Sequence, residues 1–166
     1  MKTSIKIFLT LIVLSLYSSG FEYKSINKVD SKLFSGKWYE IARTYNSFQK
    51  NCVDSNVEYI FTQENQYDVY NRCFEYELGG KKIQYSGTAK LTNNKLDMTY
   101  FWIFTKRYHI LYLNNTYTTA VISDEDYENL WIMSRTKKMD KKEKEFILNL
   151  LSKKIDLKKL IFEKKV

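Results

Sequence analysis

From residue 37 to residue 135 apolar and polar side chains alternate in short runs rich in Tyr, Val, Ile, Phe and Thr. A period of two, rather than the helical 3.6, marks strands with one buried face. It predicts strands over 37–46, 55–62, 67–75, 81–92, 96–104, 107–114, 117–123 and 129–135. The gaps between them carry turn chemistry: Gln63 to Gln66, Gly79-Gly80, Asn93-Asn94, Asn114-Asn115 and Asp124 to Asp126. Eight strands, each joined to the next by a short link, describe an antiparallel up-and-down meander. Closing the meander removes the open edges at which a sheet of this length would aggregate. The expected fold is therefore all-β, an eight-stranded antiparallel up-and-down β-barrel.

The period changes near the C-terminus. Asp140 and Glu143 form an N-cap and capping-box pair, and Phe146, Ile147, Leu150 and Leu151 recur on one side at helical spacing. An amphipathic α-helix over 140–154 is predicted, packed on the outside of the barrel. Leu157, Leu160, Ile161 and Phe162 then return as a short strand or extended segment. Upstream, Leu33 and Phe34 mark one helical turn leading into the first strand.

Residues 1–20 stand apart. Lys2 and Lys6, an apolar run from Ile7 to Leu16 and the small residues Ser18, Ser19 and Gly20 read as a secretory signal peptide. The run falls short of the roughly 20 residues that a bilayer span needs. The expectation is a single domain over 21–166 that is exported, periplasmic or secreted. With no cysteine at the cut site, anchoring through an N-terminal lipid-modified Cys is not expected.

Charge adds little to the barrel and much to the tail. The formal net charge is +8, yet residues 21–136 hold 14 Lys and Arg against 14 Asp and Glu, while residues 137–166 hold 11 against 5. Basicity confined to one terminal element is not the patch that a nucleic-acid backbone requires, and no nucleic-acid partner is expected. It reads either as a solvated helix face or as loose contact with anionic membrane headgroups.

Catalytic chemistry is sparse. The single histidine, His109, lies mid-strand and faces solvent if Tyr108 and Ile110 face inward, and no G-x-S-x-G turn accompanies it. Asp124, Glu125, Asp126 and Glu128 crowd one turn as solvated charges, and no glycine-rich phosphate loop exists. Cys52, Cys73 and His109 lack the close ligand spacing of a zinc site. No catalytic residue, metal or cofactor is expected. If the two cysteines pair, a bridge across their separation is worth roughly 3 kcal/mol and fits an oxidising compartment.

Certain residues carry a resemblance. Gly36-Lys37-Trp38-Tyr39-Glu40-Ile41-Ala42-Arg43 resembles the first motif of the lipocalins, and Leu130-Trp131-Ile132-Met133-Ser134-Arg135-Thr136 resembles the segment whose arginine covers the tryptophan of that motif. Cys52 and Asn71-Arg72-Cys73-Phe74 are similar to the half-cystine positions of the bacterial and apolipoprotein D-like branch. The resemblance runs from about Asp30 to Phe162. Two departures stand out: the second motif reads Asn115-Thr116-Tyr117, without its usual aspartate, and Lys137 replaces a common proline. Asn114-Asn115-Thr116 is also a glycosylation sequon, relevant in a eukaryotic host. The resemblance implies that Gly36, Trp38 and Arg135 close one end of the barrel as structure. Glycine allows a sharp entry into the strand, and the guanidinium can stack on the indole.

Strand parity then assigns an interior. With Trp38 inward, Glu40, Ala42 and Thr44 follow. Taking the more apolar face of each later strand adds Val57, Tyr59 and Phe61; Val69 and Asn71; Tyr85, Gly87 and Ala89; Met98, Tyr100 and Trp102; Tyr108, Ile110 and Tyr112; and Ala120 and Ile122. An aromatic wall with a few polar groups suits a small hydrophobic ligand with a long tail and a polar end, such as a fatty acid or lysophospholipid. Two alternatives stay open: a lipid-modifying enzyme using a barrel cysteine, and an interaction protein whose barrel is packed solid.

Overall fold

The computed structural model describes residues 26–101 and 103–163. The signal-peptide reading of residues 1–20 and the inward assignment of Trp102 both lie outside the described residues.

A one-turn helix α1 (Ser31–Phe34) leads into β1 (Gly36–Arg43), β2 (Cys52–Gln63), β3 (Gln66–Glu75), β4 (Lys82–Thr92), β5 (Lys95–Tyr100), β6 (Phe104–Leu113), β7 (Thr119–Ser123) and β8 (Leu130–Ser134). Each strand pairs antiparallel with the next, and β1 pairs with both β8 and β2, which closes the eight-stranded barrel. A two-residue strand β9 (Ile161–Phe162) adds to β1 where β1 and β2 have diverged. Helix α2 (Lys141–Leu151) lies against the outer wall. It is shorter than the predicted 140–154.

Two apolar layers result. Inside, Trp38, Val57, Tyr59, Val69, Met98, Ile110 and Ile122 belong to one buried cluster. Outside, Val121, Leu130 and Ile132 of the barrel meet Ile147 and Leu151 of the helix. Alternating β7 and β8 residues thus serve both layers, which is why all five residues of β7 are buried.

The ladder register shifts at four places, two of them between β2 and β3, at Val53/Asn56 and Phe61/Gln63, and the other two displace residues expected inside. The register of β1 against β8 shifts between Glu40 and Ala42, and that of β6 against β7 shifts between Ile110 and Tyr112. An extra residue flips every side chain beyond it to the opposite face. Ala42 and Tyr112, expected inside, consequently pack in the helix-facing layer. Thr44 leaves the expected interior as well: its hydroxyl donates to the Glu128 carbonyl at 2.7 Å and accepts the Leu130 N–H at 2.9 Å. Arg43 and Leu113 move inward in exchange, Arg43 onto the Glu40 carboxylate.

The expected strands over 96–104 and 107–114 are also redrawn. The turn comes earlier, since β5 ends at Tyr100 and β6 begins at Phe104, with Phe101 in the left-handed region (φ 53°). Aromatic residues in place of Gly or Asn concealed it. Asn65 and Asn93 by contrast hold left-handed turn positions of the kind that asparagine tolerates.

Candidate functional site

The end carrying α1 and the β2–β3, β4–β5 and β6–β7 turns is plugged. Trp38 is buried and donates from Nε1 to the Phe34 carbonyl at 2.9 Å. The Phe34 ring lies 5.2 Å from both the Trp38 and Tyr59 rings, and Tyr59 meets Tyr67 edge-on at 5.6 Å. The Arg135 guanidinium covers the indole from outside, 3.8 Å from its ring centre. Gly36 has φ +94°, and a Cβ there would meet Arg135 Nη1 at 3.2 Å, so the first motif and its arginine require glycine twice over. Tyr117, kept from the second motif, accepts the Asp30 N–H at 3.0 Å and ties α1 to the barrel.

The opposite end carries the β1–β2, β3–β4, β5–β6 and β7–β8 loops. Below it, Val57, Tyr59, Phe61, Val69, Ala89, Met98, Tyr100, Tyr108, Ile110, Ala120 and Ile122 all belong to or pack against the inner cluster, on the face that parity gave them. Asn71 donates to the Tyr100 hydroxyl at 2.6 Å, and Tyr85 reaches partial exposure nearer the rim. Gly87 leaves little open space, since its missing Cβ is the room taken by the Tyr100 ring, whose Cδ1 would stand 2.8 Å away. Leu91, Leu96 and Tyr67 fill the lower barrel, continuing the parity of their strands. Met133 and Trp131 join the wall from β8, whose parity the sequence left open.

One polar group stands out on the inner wall. Glu40 is buried and accepts from Arg43 Nη1 at 2.6 Å and from Gln49 Nε2 at 2.8 Å. Gln49 Oε1 in turn accepts from Trp131 Nε1 at 2.9 Å and from Asn46 Nδ2 at 2.8 Å. Arg43 also donates to the carbonyls of Gln49 and Cys52, at 2.9 and 3.4 Å, and to Glu163 at 3.3 Å. The network latches the β1–β2 loop onto the barrel. Arg43 Nε and the Ser55 hydroxyl are buried without a hydrogen-bond partner among the described residues. Parity could not find Arg43, because only the bulge turns it inward.

Burial pushes the Glu40 carboxyl up to about 7, against the opposing pull of Arg43. An acid whose native pKa exceeds its unfolded value of 4.5 holds its proton longer in the fold. Stability then falls as pH rises from about 4.5 to about 7. Glu40→Gln is expected to flatten this slope relative to the parent in urea titrations at pH 5, 6 and 7.5. An unchanged slope would assign the titration elsewhere.

Cys52 and Cys73 are bonded to each other, Cα to Cα 5.5 Å, joining β2 and β3 near the rim. No free cysteine exists among the described residues. His109 is half-buried on β6, across from Ser123 and Lys95. Among the described residues no three of His, Cys, Asp and Glu gather as a metal site would require.

The family described as "Lipocalin-like domain" matches residues 29–165. A relative in Acanthamoeba polyphaga mimivirus that carries the lipocalin name is 32% identical over 127 residues, covering 70% of this chain and 72% of its own length. The outer membrane lipoprotein Blc of Escherichia coli K12 is 26% identical over 143 residues, 82% of this chain and 80% of Blc. Insecticyanin of the tobacco hornworm Manduca sexta shares the fold with a TM-score of 0.70 at 21% identity, over 87% of this chain and 85% of its own. The family match spans residues 29–165, the closed eight-stranded barrel has the same fold as insecticyanin, and the chain belongs to the lipocalin family.

Proposed function

We propose that the protein is an exported carrier that holds a small hydrophobic ligand, a fatty acid or lysophospholipid, in the upper barrel. The carrying observation is the division of the interior. The aromatic plug fills the lower half, while the upper wall sets apolar side chains beside a buried polar group whose Arg43 Nε and Ser55 hydroxyl have no hydrogen-bond partner among the described residues. A tail lies against Val57, Val69, Met98 and Ile122, and its polar end turns to Arg43 and Ser55. Export is supported by the leader pattern, by a disulfide suited to an oxidising compartment, and by the outer-membrane name of Blc. An enzymatic reading through a barrel thiol loses its nucleophile, because both sulfurs are bonded.

Magnitudes favour a long tail read loosely. Each buried methylene yields about 0.8 kcal/mol, against an association cost on the order of 4–15 kcal/mol. One methylene more or less discriminates by only about 1–3 kcal/mol. Native mass spectrometry of gently purified protein is expected to show a co-purified lipid. Palmitic acid or lysophosphatidylcholine is expected to quench tryptophan emission with sub-micromolar affinity. No adduct and no quenching would establish a barrel packed solid and overturn the carrier reading.

A further inference from the structure

The rim around the open end is unusually apolar. Phe48, Tyr76 and Ile103, from three different loops, are 72%, 69% and 74% exposed, and Tyr45, Leu78, Phe101 and Phe104 accompany them. At the plugged end the exposed large apolar side chains among the described residues are Leu33, at 58%, and Ile60, at 44%. A concentration of this kind marks a surface that is covered in use.

The backbone holds these side chains outward at a cost. Tyr76 and Phe101 sit at φ 66° and 53°, a region that Gly or Asn occupies easily and bulky residues avoid. Tyr117 and Tyr127 share that conformation, but Tyr117 holds α1 and Tyr127 packs against the helix-side layer. Tyr76 and Phe101 belong to neither of the two apolar clusters of the described residues. Phe48 is displayed by a short 3-10 turn (Ser47–Gln49) that the Glu40, Arg43 and Trp131 bonds to Gln49 pin in place. The Tyr76 N–H donates to the Asn51 carbonyl at 2.7 Å and braces one loop with the next.

We infer that this rim docks the barrel mouth on a phospholipid bilayer bearing zwitterionic headgroups, with Phe48, Tyr76, Phe101 and Ile103 inserted among the headgroups. The occupant follows from shape and charge. Separate tips on braced loops suit a deformable surface better than a rigid protein pocket, and aromatic rings settle at the headgroup level. Lys50, Lys81, Lys82 and Lys106 share the rim with Glu75, Glu77 and the acidic Asp124–Glu128 loop, and Lys106 pairs with Asp124 at 2.8 Å. Because β9 runs antiparallel to β1, with Arg43 opposite Ile161, the basic turn before it comes level with this end and offsets the acidic loop. Charges of both signs near balance match headgroups that carry both signs. The inference goes beyond ligand carriage, since the rim acts whether or not the barrel is loaded.

The test is co-sedimentation of the full domain with phosphatidylcholine vesicles, beside vesicles containing phosphatidylglycerol, at low and high salt. The triple variant Phe48→Ser, Tyr76→Asn, Phe101→Asn changes none of the residues assigned to the ligand. The parent is expected to bind phosphatidylcholine with little salt dependence, and the variant to bind at least tenfold more weakly. The variant should also keep fatty-acid quenching and unfold at the same or a higher temperature, because two strained positions are relieved. A purely structural role for these residues would instead lower its melting temperature. Equal binding by parent and variant overturns the inference. So does binding that needs phosphatidylglycerol and disappears in salt, which assigns contact to the basic tail. Self-association of the parent that the variant abolishes, without vesicle binding, assigns the rim to a second copy of the chain.

Discussion

Replacing Arg135 by alanine is expected to lower the unfolding free energy by about 3–5 kcal/mol, read as a fall in the urea midpoint at unchanged m-value. Arg135 gathers five carbonyl oxygens from three segments: Tyr117 at 3.1 Å, Lys37 at 2.9 Å, and Leu33, Phe34 and Ser35 at 2.9, 3.1 and 2.7 Å. Those carbonyls include the C-terminal end of α1, where oxygens lack helical partners and attract a cation. Burial pushes the Arg135 pKa down to about 10, which leaves the guanidinium charged at neutral pH. Its removal also uncovers the Trp38 ring, so a shift of tryptophan emission should accompany the loss. Arg135→Lys keeps the charge but cannot fork to several carbonyls at once, and should recover less than half the stability. A loss below about 1 kcal/mol for the alanine variant would show that Phe34 and Trp38 close the barrel unaided.

The second large effect is expected at Glu143. This helix residue is buried, and its carboxylate accepts from Tyr112 Oη at 3.1 Å, Asn114 Nδ2 at 2.9 Å and Thr119 Oγ1 at 2.9 Å. It is the polar bolt between α2 and the barrel. Glu143→Ala takes the shared acceptor from three donors, of which Asn114 Nδ2 keeps Thr118 Oγ1 at 2.8 Å, and is expected to cost about 3 kcal/mol. The loss should be local, with amide exchange over 141–151 accelerating more than exchange in β3 or β4. Uniform acceleration would mean that helix and barrel unfold only together.

Both residues show how far a sequence can be read. Arg135 was legible because stacking on a tryptophan demands a flat cation, and a motif supplied the pair. Glu143 was half legible. Its N–H does donate to Asp140 Oδ1 at 3.0 Å as a helix start requires, but its carboxylate turns to the barrel, which spacing along the helix cannot reveal. The barrel itself followed from a period of two punctuated by Asn and Gly, and most inward residues kept their assigned face. Ala42, Thr44 and Tyr112 did not, because neither Ile41 nor Leu111 bears any local mark of a register shift. Arg43 was missed for the same reason. The Phe101 turn was not legible, since its residues have strand propensity and none is Gly or Asn.

The register shift in β1 makes one strand into two pieces laid end to end. Below it, even-numbered residues look into the lumen; above it, odd-numbered ones do, with Arg43 inside and Ala42 under the helix. The same edge therefore reads as plug in one phase and as latch in the other. Strict strand alternation counted from Trp38 thus holds for the closed end only. Interior positions assigned past Ile41 by that alternation land on the wrong side of the wall.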